Sequence, residues 1–127
     1  MKMRRLKLKF RIPPYITPRN LWRIQIYTIA KRCQVAYEKK DRLQIDVRLY
    51  LSGSDIFMHD VDNRLKDILD ALQGRVGGPK SIRRFKAIIP NDNQIFRVTL
   101  EKLLPPRQSH GFGHIMVSKY VSSIKGQ

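Results

Sequence analysis

Leu6, Leu8, Phe10 and Ile12 alternate with Arg5, Lys7, Lys9 and Arg11, the period of two expected of a strand that buries one face and wets the other. Pro13-Pro14 ends this run. Thr17-Pro18 reads as a helix N-cap followed by proline at the first helical position. Leu21, Ile24, Tyr27 and Val35 then keep helical spacing as far as Lys39. Period two returns over residues 42–51, where Leu43, Ile45, Val47 and Leu49 alternate with Gln44, Asp46, Arg48 and Tyr50. Ser52-Gly53-Ser54 opens a loop that reaches residue 59.

A second helix is predicted to begin near Asp60–Asp62. Leu65, Ile68, Leu69 and Leu72 would form its buried stripe, and Gly74 suits the C′ position where it stops. After a Gly/Pro-rich loop over 74–81, Arg83–Ile89 and Ile95–Leu103 read as two more strands, separated by Pro90-Asn91-Asp92-Asn93. Pro105-Pro106 closes the body of the domain, spanning 1–106. Residues 107–127, with an apolar stretch at His114–Val121, leave open a tail, an edge strand or a dimer arm. The order β-α-β-α-β-β implies a small single α/β (α+β) domain, a mixed four-stranded sheet packed by two helices.

Composition adds a partner to this outline. The 127 residues carry 26 Lys+Arg against 10 Asp+Glu, a formal net charge of +16. Residues 1–64 hold 15 basic and 6 acidic side chains, and residues 65–127 hold 11 and 4, so the excess is dispersed and not confined to one tail. Such a charge repels itself in the compact state. A polyanion relieves that repulsion and releases its condensed counterions. Nucleic acid is the expected partner, against a merely solvated basic surface or an anionic membrane or protein. No apolar run approaches the roughly 20 residues that cross a bilayer, and no continuous apolar segment follows the basic N-terminus, so neither an anchor nor a signal peptide is expected. Cys33 is the only cysteine. It permits no intramolecular disulfide and no cysteine-based zinc finger, and a reducing, cytoplasmic setting is expected.

With acids this scarce, their positions matter. Four of the ten lie between His59 and Asp70: Asp60, Asp62, Asp67 and Asp70. If the segment entering the helix is extended, Asp60 and Asp62 point the same way. They then repel unless a cation lies between them. Mg²⁺, with Mn²⁺ as a substitute, accepts one or two carboxylates plus substrate phosphates. Lys66 and Asp70 follow at successive turns from Asp62, and Asp92 sits in the turn between the last two predicted strands. Each acid also has an ordinary reading: an N-cap in the helix dipole, i,i+4 pairs on a wet face, or an Asn-Asp-Asn turn. Taken together on a polycation, they favour a metal site. His59 lies beside the acids, within reach of a substrate. The EF-hand and P-loop patterns fail, the first for want of its third ligand and turn glycine, the second because Pro79 replaces a required glycine.

The block His59-Asp60-Val61-Asp62-Asn63-Arg64-Leu65-Lys66-Asp67-Ile68-Leu69-Asp70-Ala71-Leu72, followed by Asn91-Asp92-Asn93-Gln94-Ile95, resembles the RusA family of Holliday junction resolvases. That family carries Asp-x-Asp-Asn-x-x-Lys running into Leu-Asp-Ala-Leu, and later Asp-Asp-x-Gln before an apolar strand. Asn91 stands where the family usually has the first aspartate of that second pair. The resemblance implies a Mg²⁺-dependent, homodimeric endonuclease acting on four-way DNA junctions, with nucleoid association in the cell. It puts catalytic, metal-holding aspartates at Asp60, Asp62 and Asp92, and a catalytic lysine at Lys66.

Phosphodiester cleavage needs an activated water, in-line geometry and neutralised charge on the phosphate oxygens. The expected division of labour has the three aspartates holding one or two Mg²⁺ ions and Lys66 stabilising the transition state as a fixed positive charge. The resemblance implies 5′-phosphate and 3′-hydroxyl products. Arg5, Lys7, Lys9, Arg11, Arg83, Arg84 and Lys86 would follow the DNA backbone. Two rival readings are a non-catalytic basic nucleic-acid-binding protein, such as an RNA- or ribosome-associated domain, and a nuclease that prefers flaps or forks.

Overall fold

The computed structural model describes residues 6–77, 82–124 and 126. Strand β1 (Leu8–Ile12) leads to helix α1 (Arg19–Arg32) and strand β2 (Leu43–Tyr50). A single helical turn, α2 (Asp55–Met58), precedes helix α3 (Val61–Leu72). Two short strands, β3 (Arg75–Gly77) and β4 (Ile82–Arg83), form a separate antiparallel pair. Strands β5 (Ile95–Leu103) and β6 (Phe112–Lys119) complete the chain.

Four strands make one mixed sheet in the order β1-β6-β2-β5. β6 runs antiparallel to both β1 and β2, while β2 and β5 are parallel. The expected architecture of four strands packed by helices is present, but its fourth strand is β6 and not residues 83–89. Phe112–Lys119 is thus an inner strand of the domain, so the domain does not close at Pro106. The reason is visible in its pattern: Gly113, Ile115 and Val117 are buried while Phe112, His114 and Met116 alternate on the other face.

Residues 84–91 fail to make a strand because their backbone serves the end of α3. Ile88 and Ile89 both donate their N–H to the Leu72 carbonyl, one of the carbonyls a helix terminus leaves without an internal partner. Their side chains are fully buried in the process. Gly74 stands at C′ with φ +76, where a Cβ would lie 2.2 Å from the Phe85 carbonyl oxygen. Only glycine fits both demands.

Helix α1 begins one residue later than its proline suggests. Pro18 occupies the N-cap with no side-chain cap, and the Thr17–Pro18 peptide is cis. The helix stops at Arg32, short of Lys39, because Gln34 takes a positive φ of 57. That turn returns Val35 and Tyr37 to the core.

Both helices cover one face of the sheet. Leu8, Ile12, Ile45, Val47, Ile115 and Val117 pack there against Trp22, Ile26, Ile68 and Leu72. Trp22 donates its indole N–H to the Pro13 carbonyl at 3.0 Å, so the large ring is buried without stranding its donor. No described helix is long and apolar enough to cross a membrane.

Candidate active site

Helix α3 presents two chemically different sets of acids. Asp67 and Asp70 face inward toward α1 and are buried. Asp67 accepts hydrogen bonds from Nε of Arg19 at 3.0 Å and Nε of Arg23 at 3.1 Å. Arg23 also approaches Asp70 at 3.6 Å, and Arg64 approaches Asp67 at 3.3 Å. The Arg64 guanidinium lies 3.6 Å from the centre of the Tyr15 ring, a cation–π contact at close range. The hydrogen bond with Asp67 holds the Arg19 guanidinium above its usual range. These two acids are thereby committed to joining α1 to α3, and the expected Asp62–Lys66–Asp70 series does not form.

Asp60, Asp62 and Lys66 are exposed. Asp60 takes the N-cap position with extended backbone, its carboxylate accepting only a long contact from Asn63 at 3.4 Å. Asp62 already lies in the first helical turn, so the extended geometry expected of the pair applies to Asp60 alone. Neither carboxylate, nor Lys66, pairs with an opposite charge among the described residues. The positive end of the helix dipole favours negative charge at this place.

Asp92 is also exposed, in a short 3-10 turn that Asn91 caps. Gln94 fixes this turn by donating to the carbonyls of Glu38 and Asp41 at 2.8 and 2.9 Å. The turn therefore sits where β2 begins, since Leu43 pairs with Ile95. Asp60 sits where β2 ends: Leu51 bonds to Leu103, and Lys102 donates to the Ile56 carbonyl. Eight residues of strand separate the two ends, roughly 25 Å at about 3.3 Å per residue. The convergence expected of Asp60, Asp62 and Asp92 does not occur within one chain. Among the described residues no three His, Cys, Asp or Glu side chains are grouped to hold a metal ion.

His59 packs edge-on to Tyr15 with ring centroids 5.2 Å apart. Burial, and then the nearby Arg64 charge, hold its imidazole below the usual range, so it stands beside Asp60 as a neutral group.

The proposed DNA contacts divide between two faces. Lys7, Lys9 and Arg11 are exposed on the sheet face that no helix covers, whereas Arg83, Arg84 and Lys86 are exposed beside the helix layer. The second placement follows from Tyr27 of α1, which donates to the Lys86 carbonyl and stacks on Phe85. Arg83 is partly engaged with the Pro90 carbonyl at 3.2 Å. Arg5 lies outside the described residues. The sequence reading missed Arg48, Tyr50, Phe112 and His114 on the open face, because their grouping depends on β6 lying between β1 and β2.

Compared with known proteins, the chain matches no family model and no curated protein.

Proposed function

We propose that this protein is a Mg²⁺-dependent endodeoxyribonuclease that resolves four-way DNA junctions by paired phosphodiester hydrolysis, acting as a homodimer in recombination and repair. One observation carries the reading. On a strongly cationic chain, Asp60 and Asp62 stay exposed and unpaired at one helix N-terminus with Lys66 a turn away, while Asp67 and Asp70 absorb the neighbouring arginines. Two free carboxylates suit Mg²⁺, which fills its other places with water and phosphate oxygens. An ion held there would supply an activated water and neutralise charge on the scissile phosphate. Asp60 and Asp62 would hold it, and Lys66 would offset the charge that develops on the phosphate oxygens.

The separation of Asp92 makes a second copy part of the argument. In a two-fold dimer that placed the partner subunit's Asp92 beside Asp60 and Asp62, the same arrangement would occur twice and give two identical sites. Two sites match the two cuts a junction requires. Phe57 and Met58, 90% and 75% exposed just before Asp60, give such a partner apolar side chains to cover.

Mixing subunits tests this directly. Asp62→Asn and Asp92→Asn are each expected to be inactive, and a mixed dimer keeps one intact site. Unfolding and refolding the two variants together should therefore restore Mg²⁺-dependent nicking of a synthetic junction. No recovery would exclude the shared site. The same separation favours a second reading, a non-catalytic polyanion binder, and a metal-independent gel shift with no nicking of junction or supercoiled plasmid would establish it. A panel of flaps and forks beside the junction sets the substrate preference.

A further inference from the structure

The helices leave the other face of the four-stranded sheet uncovered. Lys9 and Arg11 of β1, Arg48 of β2 and Arg97 of β5 lie on it with the acids Asp46 and Glu101, and Asp41 lines its end beside Arg42, Phe96 and Tyr120. Lys9, Asp46, Arg48, Tyr50, His114 and Met116 line an open hollow of about 330 Å³ at its centre.

Each end of this face carries rings paired with guanidinium groups. At the end nearer α3's N-terminus, Tyr50 and Phe112 stack with centroids 4.4 Å apart, and Arg11 lies 4.0 Å over the Phe112 ring. At the opposite end Phe96 meets Tyr120 at 5.3 Å, with Arg42 at 5.6 Å from Phe96 and Arg97 at 5.4 Å from Tyr120. Phe96 reaches this face through a bulge. Leu43 pairs with Ile95 and Gln44 with Arg97, so Phe96 is the extra residue, and a bulge re-aims the side chain it carries. The result is a phenylalanine 53% exposed beside two arginines.

We infer that this open face binds single-stranded nucleic acid, with bases on its aromatic rings and phosphates on its lysines and arginines. Charge selects a polyanion, and a second copy of the same cationic face is repelled. The rings select the unpaired form, because only unpaired bases expose a π-face to a flat sheet, while a duplex hides them in its stack. The surface lies across the thickness of the sheet from Asp60 and Asp62 and needs no metal. It therefore holds whether or not those carboxylates cut DNA.

Fluorescence anisotropy with a labelled oligothymidine, in EDTA and over a range of salt, tests it without any cleavage. Phe96→Ala should weaken binding roughly tenfold with the salt slope unchanged, in line with the worth of one base–aromatic stack. Arg48→Ala should lower the slope by about 0.7, one phosphate's share for a single strand. Lys31→Ala, at the exposed end of α1 away from this face, should leave both unchanged. Phe112 already has Tyr50 stacked on it and Arg11 over its ring, so Phe96→Ala is the deciding aromatic variant. Three outcomes would overturn the inference. One is unaltered affinity in Phe96→Ala, and another is an equal loss in Lys31→Ala and Arg48→Ala. The third is a duplex of the same length competing as well as the strand.

Discussion

Asp67 accepts two nitrogens of Arg23, Nε at 3.1 Å and Nη2 at 3.0 Å, and both side chains are almost wholly buried. Both nitrogens share the one oxygen Oδ1; this is the central polar contact between α1 and α3, and Arg19 and Arg64 add to it from either side. Nε and Nη1 of Arg64, Oδ2 of Asp67 and Oδ2 of Asp70 are buried without a hydrogen-bond partner, so the cluster is held by charge more than by fully matched hydrogen bonds. Asp67→Ala should destabilise the fold by about 3–5 kcal/mol, the usual cost of leaving a buried charge without its partner. Urea denaturation should show a lower midpoint at an unchanged m-value. An unmoved midpoint would mean that apolar packing alone holds the two helices together.

Removing negative charge near a phosphate separates cutting from binding. Asp60→Asn, Asp62→Asn and Asp92→Asn should each abolish nicking of a four-way junction in Mg²⁺. Gel-shift affinity measured in EDTA should stay level or rise. If Asp62→Asn cut at the parental rate, the carboxylates at the start of α3 would be no more than helix-dipole partners.

Lys66 is exposed and unpaired, so its loss leaves no buried group stranded. Lys66→Ala should lower the single-turnover cleavage rate by at least tenfold while changing junction affinity by less than threefold, on the scale of one electrostatic group at a transition state. A pure loss of affinity at full rate would make Lys66 an anchor for the DNA backbone.

His59 gives the fold an acid-sensitive component. Its folded value lies below the ordinary 6.5, chiefly through burial, so the unfolded chain binds the proton more readily. Stability then rises with pH across that window and is lost as pH falls below about 6.5. His59→Gln should flatten this part of a plot of melting temperature against pH. Matching slopes in parent and variant would assign the loss to other groups.

Much of the layout is legible in the sequence because local rules and tertiary packing agree there. Period two in β1 and β2, the stripe of α3 and the glycine at position 74 each have one structural solution. Ile88 and Ile89 mislead because burial alone does not separate a strand from a helix-capping segment, and their N–H groups went to Leu72. Phe112–Lys119 alternates as clearly as β1, yet its Ser/Gly/His-rich surroundings obscured that it would be buried on both sides by neighbouring strands. At the candidate site, Asp60, Asp62, Lys66 and Asp92 are all exposed. The distance to Asp92 was hidden because it depends on β5 running parallel to β2, a pairing between segments some fifty residues apart. The arginine–aspartate cluster had a faint signal in Arg19 and Arg23, four apart on α1 and aligned with the acids of α3.

The position of β6 between β1 and β2 sets an order for biosynthesis. β1 and β2 emerge from the ribosome early, yet neither touches the other, and every backbone ladder of β1 waits for the strand made last of the four. Until residue 119 has cleared the exit tunnel, the nascent chain holds two apolar strands with unsatisfied edges, the kind of species that recruits chaperones. Closing such a distant pairing is slow compared with forming the helices. The β2–β5 ladder can form first, and β1 joins the sheet only as a late event, once β6 is available to bridge them.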